Sequence, residues 1–339
     1  MRLLITSLFI LLSFLAKAQT RADNENIQLI FWNVENLFDT EDDSLTRDDE
    51  YLPYSMRGWN HKRYEQKLFS IYKTLVAVGG WQLPELIALA EIENRTVLED
   101  LLSKTPLLRA GYQIIHQESE DRRGIDLAVL YRPEHLQVVD TSFIGIRFPD
   151  APDSRTRDVL YLKGRVSGIH DFHLFVNHWP SRYGGGRSSE SRRMHVAGVV
   201  RNQLNEIYKQ DSLANCIVLG DFNDAPEDAS LQELASAHVD LQLVSSNSFQ
   251  GTHKFQGIWS HFDQIWVSRT LLENETLWLT NGDATIFHPD WLLKNDKTYG
   301  GLKPNRTYEG FRYHGGYSDH LPIYLELSSG QSQLADKEK

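Results

Sequence analysis

The chain carries a series of short apolar runs rich in β-forming residues, and several of them stop at a conspicuous polar residue. Residues 27–32 end at Asn33, 86–90 at Glu91, 172–176 just before His178, and 216–219 at Gly220-Asp221. Residues 127–131, 262–267 and 323–327 are further runs of this kind, the last closing the domain. Nearly continuous apolar runs indicate strands covered on both faces. Two stretches between them have helical period. Residues 61–78 place Tyr64, Leu68, Ile71, Tyr72 and Leu75 on one face. Residues 188–208 place Met194, Val196, Val199, Val200, Leu204 and Ile207 on another, with Arg192, Arg193 and Arg201 among the basic positions. Strands interleaved with long helices predict an α/β domain, whose functional residues gather at strand ends.

Composition adds little to that pattern and contradicts none of it. The chain has 339 residues, 41% hydrophobic and 24% charged, which is ordinary for one large domain or two average ones. No internal repeat, linker or low-complexity tract divides it, so one domain over residues 19–328 is the simpler reading. The polar tail, residues 329–339, is expected to be disordered.

The first eighteen residues read as an export signal. Arg2 gives a positive start, residues 3–16 an apolar run, and Ala16-Lys17-Ala18 a small-x-small cleavage site. The run is shorter than the ~20 residues a spanning helix needs, so no stable membrane anchor is expected and the mature protein is placed outside the cytoplasm, secreted or periplasmic. The only cysteine, Cys216, lies within an apolar run and reads as a buried hydrophobe, neither disulfide partner nor nucleophile.

Net charge is −11, and cleavage after Ala18 would remove Arg2 and Lys17 with no acidic group. Proteins that grip nucleic-acid backbones nonspecifically are normally basic. The charge therefore weighs against tight duplex-DNA binding, while leaving room for a local cationic site.

Two motifs carry the chemistry. In Gly220-Asp221-Phe222-Asn223-Asp224, an Asp and an Asn two apart at a strand end can face the same side, which suits holding a water or metal beside a phosphate. An Asx-rich turn closed by Pro226 is the structural alternative. In Tyr317-Ser318-Asp319-His320-Leu321-Pro322, a hard oxygen ligand stands beside a titratable imidazole; the alternative is a capped turn with a surface histidine.

Asn33 and Glu35 in FWNVENLFDT, Glu91 in ALAEIEN, His178 in VNHWPSR, then GDFND, FDQIWVS and YSDHLP follow one another in the order of the endonuclease/exonuclease/phosphatase family, which the chain resembles over roughly residues 27–327. NLFDTEDD, NHWPSRYGG, DQIWVS and GGYSDHLPIY look closest to its extracellular bacterial branch. The resemblance implies a four-layered α/β sandwich, two packed mixed β-sheets flanked by helices. It implies that Asn33, Glu91 and Asp319 lie on the metal side, with Glu91 the principal ligand. His178 would donate to the scissile phosphate, Asp221 would orient or deprotonate the attacking water, and Asn223 would steady the phosphate. His320 would be the second catalytic histidine, with Asp263 as its carboxylate partner.

Such an oxygen ligand set favours Mg²⁺, with Mn²⁺ or Ca²⁺ as substitutes, over zinc. Arg182 and Arg187 follow His178 in a glycine-rich basic loop suited to gripping substrate phosphate. Asp126, opening an apolar run, is a candidate carboxylate partner for His178. Residues 39–50 read as a solvated acidic loop bordering the cleft, and Trp59, Trp81 and Trp259 as core or rim.

The expected reaction is metal-assisted phosphodiester hydrolysis by direct water attack, in a monomer, with nucleic acid as first substrate. The rivals are a phospholipid-headgroup or small phosphate-ester hydrolase and a non-catalytic binding module. A sphingomyelinase-like role calls for an exposed apolar hairpin, and none stands out in the sequence. A dead module would have lost Glu91, Asp221 or His320, and all three are present.

Overall fold

A computed structural model describes residues 25–80, 82–182, 186–244, 249–274 and 276–330. The expected export signal, Trp81 and the tail beyond Gly330 lie outside the described residues. The strands in chain order begin β1 (Glu25–Leu37), β2 (Leu86–Ile92), β3 (Gln113–His116), β4 (Asp126–Tyr131), β5 (Leu136–Ile144) and β6 (Val159–Val166). They continue with β7 (His170–His178), β8 (Cys216–Asp221), β9 (Leu241–Leu243), β10 (His253–Phe255), β11 (Ile258–Ser260) and β12 (Asp263–Ser268). The last are β13 (Leu277–Leu279), β14 (Thr285–Ile286), β15 (Leu293–Asn295), β16 (Leu302–Pro304), β17 (Tyr308–Glu309), β18 (Arg312–Tyr313) and β19 (Ile323–Ser329). The helices that cover them are α1 (His61–Gly79), α2 (Arg95–Ser103), α3 (Gly186–Gln210) and α4 (Ala229–Ala235), and a further short helix spans Thr270–Glu273.

Two mixed sheets result. One runs β13-β19-β1-β2-β4-β3 with β14 on β19, and the other β5-β6-β7-β8-β12-β9. The parallel pairs are β1–β2 and β7–β8, each bridged by a helix-bearing crossover of the kind parallel strands require.

Side-chain alternation explains the four layers. Leu29 and Phe31 of β1 face Leu174, Val176, Ile217 and Leu219 of the other sheet in a shared central core. The intervening Ile30 and Trp32 face Leu68, Ile71 and Leu75 of α1 and Leu98 of α2. On the far side, Phe175 and Val218 pack on Val196, Val200 and Leu204 of α3 and Leu234 of α4. Both sheets are thus buried on both faces, which is why their strands read as continuous apolar runs. Asn60 and Asn94 cap α1 and α2 by accepting from Arg63 N and Val97 N, starting each helix where its apolar period begins.

The two periodic helical stretches and the seven apolar runs all correspond to observed elements. Trp59 is fully buried and Trp259 packs at the edge of the inter-sheet core. Cys216 is buried, and burial pushes its thiol up to about 12. The final strand reaches Ser329. Among the described residues, no helix is long and apolar enough to cross a membrane.

Candidate active site

Strand parity builds the site. Phe172, Leu174 and Val176 of β7 point between the sheets, so His178 does too. The same count of two carries Ile217 and Leu219 to Asp221, Ile265 and Val267 to Asp263, and Leu29 and Phe31 to Asn33. Ladder register lines three of them up: His178 lies opposite Asp221, and Asp221 opposite Asp263. The inter-sheet core therefore ends in a row of buried polar groups.

Glu91 departs from this alternation. Ala90 faces the inter-sheet core and Ile92 the helices, and the β2–β4 register shifts between them. Glu91 is the extra residue, with φ of 66°. Glu35, Asn36 and Asn223 are also left-handed, at 54°, 56° and 51°. Each such residue costs on the order of 1–3 kcal/mol, and outliers of this kind gather at functional sites. Gly220 is required where it stands, because a Cβ there would lie 2.1 Å from Asn177 O.

Asp221 is the centre. Its Oδ2 accepts from Asn33 Nδ2 at 3.1 Å, and its Oδ1 accepts from Asn223 N at 3.0 Å. His178 Nε2 and His320 Nε2 lie 3.6 and 3.7 Å from Oδ2. Burial raises the Asp221 carboxyl to about 6; Asp263 adds to that and His320 opposes it. His320 Nδ1 is 2.7 Å from Asp263 Oδ2. Burial works against charge on His320, but Asp263 and Asp221 outweigh it and hold the imidazolium well above the ordinary histidine range. The expected Asp263–His320 unit is thus formed.

His178 is different. Arg157 Nη2 lies 2.8 Å from His178 Nε2. A guanidinium can only donate, so Nε2 accepts and the neutral ring carries its proton on Nδ1. Burial, with Arg157, Arg123 and His320, holds this imidazole well below the ordinary range. In this arrangement Arg157 is the donor and His178 Nε2 its acceptor, whereas the resemblance implies donation from His178. Arg157 also donates to Asp121 Oδ2 at 3.1 Å.

Among the residues expected to hold a metal, Glu91 Oε2 accepts from Asn36 N at 2.9 Å, and Oε1 lies 4.0 Å from both His178 Nε2 and Arg123 Nη1. Asn33 Oδ1 accepts from Glu35 N at 3.0 Å, leaving one lone pair. Asp319 pairs with Arg306 at 2.9 Å; burial would raise its carboxyl, but Arg306 and His320 reverse this and hold it below the usual range. The same Arg306 takes Glu35 at 3.0 Å, whose carboxyl is raised by burial and by Asp319.

Oxygen donors crowded in this way suit a hard cation, which would relieve their mutual repulsion. Groups of three ligand atoms within 4.8 Å of one another occur twice among the described residues, Asp221–Asp263–His320 and His253–Asp319–His320. Both run through His320, which Asp263 already engages, so an ion there would compete with that pair. Glu91 with Asn33 leaves that histidine free.

The structure bears on three further sequence expectations. Arg182 donates to Asn223 O at 2.8 Å and Asp224 Oδ1 at 2.9 Å and also pairs with Asp228, so it braces the motif loop, its charge already matched. Asp126 does not reach His178. It shares parity with Ala128 and Leu130, which face the helices, and it accepts from Ser119 N beside His116. The apolar hairpin that the sequence did not reveal is present: Phe255 and Ile258, opposite one another at the tip of β10–β11, are 64% and 71% exposed. Arg187 lies in the first turn of α3, its side chain outside what is described. Asn223 Nδ2 donates to Trp179 O at 3.0 Å, which leaves its second N–H as a further donor.

Residues 39–50 pack beside this region, with Asp39 N donating to Glu93 at 2.6 Å and Arg47 N to Arg122 O at 2.9 Å. Arg157, Arg306 and His253 carried no motif signal. Glu35 lay within one, two residues after Asn33.

Residues 28–329 match the model of the endonuclease/exonuclease/phosphatase family. The chain belongs to this family. Its members hydrolyse phosphoric esters with divalent metals, and the deoxyribonuclease-like double sheet is its fold. The structure is similar to that of an endonuclease/exonuclease/phosphatase family protein from Bacteroides thetaiotaomicron, at 15% identity and TM-score 0.57 over 91% of this chain and 97% of that one. It is also similar to the human Nocturnin catalytic domain with bound sulfate anion, at 16% identity and TM-score 0.56 over 90% and 95%. D. rerio TDP2 complexed with single strand DNA product aligns at 16% identity and TM-score 0.55 over 89% and 98%. No curated protein matches the chain.

Proposed function

We propose that this family member is a secreted, divalent-cation-dependent phosphodiesterase, acting first on nucleic acid. The observation that carries the reading is the register-aligned row His178–Asp221–Asp263 meeting Asn33, Glu91 and His320 at the open end of the inter-sheet core. These residues come from far-separated segments, and packing of the central core alone does not call for charged groups there.

Glu91 and Asn33 would hold the cation, Mg²⁺ with Mn²⁺ or Ca²⁺ as substitutes, with Asp319 beside them. When bound, the ion supplies positive charge to the phosphate oxygens. Asp221, with its carboxyl raised to about 6, orients the attacking water and takes its proton. His320, protonated against Asp263, gives a proton to the departing oxygen. Arg157, and Asn223 through its amide, steady the phosphoryl group as charge builds. The water–phosphorus bond forms as the ester bond breaks, without a covalent enzyme intermediate. The positive start, apolar run and small-x-small site over residues 1–18 support export with signal removal. A monomer is the working state.

The exposed Phe255–Ile258 tip favours a second reading, a phospholipid headgroup as substrate, since such a tip suits a lipid surface. A panel on mature protein with Mg²⁺ or EDTA separates the two. It holds linear and circular DNA, RNA, sphingomyelin vesicles, inositol polyphosphates and a chromogenic diester, with His320→Ala as control. Nicked or linearised circles carry the nuclease reading; release from vesicles alone replaces it with the lipid one.

A further inference from the structure

We infer that a cavity on the far side of Arg157 is a second anion subsite, which holds a phosphate neighbouring the one being hydrolysed. The inference rests on the phosphodiesterase reading and names a feature of the substrate, two adjacent phosphate groups.

The cavity is about 310 Å³, set between the loop leading into β6 and the first turns of α3. That is the low end of ligand-pocket size and suits one phosphate with part of its alcohol. Three arginines line it, Arg155, Arg157 and Arg192, together with Ser154, Ser181 and one acidic residue, Asp121. So local a concentration of positive charge runs against the chain's net −11.

The three cations differ in what they touch. Arg155 is paired with Glu120 at 2.6 Å, and Asp121 is taken up by Arg157 Nη1 at 3.1 Å. Arg192 rests half-buried over the Phe148 ring at 5.5 Å and pairs with no carboxylate among the described residues. Arg157 is 8% exposed, and its Nε is buried without a hydrogen-bond partner while its Nη2 is on His178. An anionic oxygen in the cavity would meet the Arg192 guanidinium, which no carboxylate among the described residues neutralises, and a guanidinium fork is matched to phosphate geometry.

One buried arginine therefore touches both His178 and the cavity. A scissile phosphate at His178 and a second phosphate in the cavity would be held by the two sides of a single planar group. The second phosphate has two sources, a terminal phosphomonoester or the next diester of a strand.

The test compares kcat/KM for four substrates: a chromogenic diester, dithymidine joined by one phosphodiester, the same dinucleotide with a terminal 5′- or 3′-phosphate, and the trinucleotide. Wild type is set against Arg192→Ala and Arg192→Lys, substitutions at a half-buried position whose folding is checked by thermal melting. At least one two-phosphate substrate is expected to exceed the single-phosphate dinucleotide by about tenfold, which corresponds to about 1.4 kcal/mol. That ratio should collapse in Arg192→Ala and largely survive in Arg192→Lys. Preference for the phosphorylated dinucleotide identifies the terminal phosphate, and preference confined to the trinucleotide identifies the next diester. Equal kcat/KM across the nucleotides, or a preference that persists in Arg192→Ala, overturns the subsite. Hydrolysis of the chromogenic diester alone also removes the subsite while leaving the phosphodiesterase reading intact. Hydrolysis of none removes both.

Discussion

Asn33 Nδ2 donates a 3.1 Å hydrogen bond to Asp221 Oδ2, joining the two sheets across 188 residues of sequence. The bond favours the carboxylate form and so opposes the burial that raises Asp221 to about 6. In Asn33→Ala the carboxyl should therefore titrate higher. On the proposed mechanism Asp221 acts as a carboxylate, so activity should fall as pH drops through its pKa, and the acid limb of the pH–rate profile should move upward. An unmoved limb with normal activity would detach Asp221 from the rate.

Asp263 holds a proton on His320. Replacing it with Asn keeps the shape but removes the charge that outweighs burial. Loss of a positioned acid/base group is worth on the order of 10²–10⁴-fold. Asp263→Asn and His320→Ala should both fall by that order in kcat, with the double variant little worse than either single one. Additive losses would mean the two act separately.

Arg157 is the largest charged contributor keeping His178 neutral. Arg157→Ala should raise the titration midpoint of His178, followed by histidine NMR, and lower phosphodiester turnover. A midpoint that stays put would show that the 2.8 Å contact does not govern the ring's protonation.

Much of the site was legible because strand geometry is periodic. Once residues 172–176 and 216–219 are read as strands, a count of two sends His178 and Asp221 to the face occupied by Val176 and Leu219. The same count was available for Asp126 and excludes it as a partner for His178, since Ala128 and Leu130 face the helices. Loop residues offer no such count. Arg157 and Arg306 reach the cleft through connections whose path periodicity does not fix. Arg182 reads as a free cation until Asp224 and Asp228 are seen to fold back on it. The β10–β11 hairpin escaped notice because its strands are three residues each, too short for alternation to show.

Asp126 offers a test of burial alone. Its carboxyl is pushed up to about 7 by desolvation, against an ordinary value of 3.8. A proton is thus bound more tightly in the folded state, so this group's stabilising contribution is complete below about pH 4 and is lost as pH rises to about 7. Asp126→Asn keeps the acceptor for Ser119 N and should flatten the melting temperature against pH across that window. An unchanged slope would mean that Asp126 ionises as readily folded as unfolded.

The most direct test of the cleft is the rate of chromogenic phosphodiester hydrolysis by EDTA-treated protein as Mg²⁺ is returned, for wild type and Glu91→Gln. Wild type should be inactive without the ion and recover as it is added, while Glu91→Gln should recover far less or need much more Mg²⁺. Full activity in EDTA, or a Glu91→Gln curve that overlays wild type, would contradict the account.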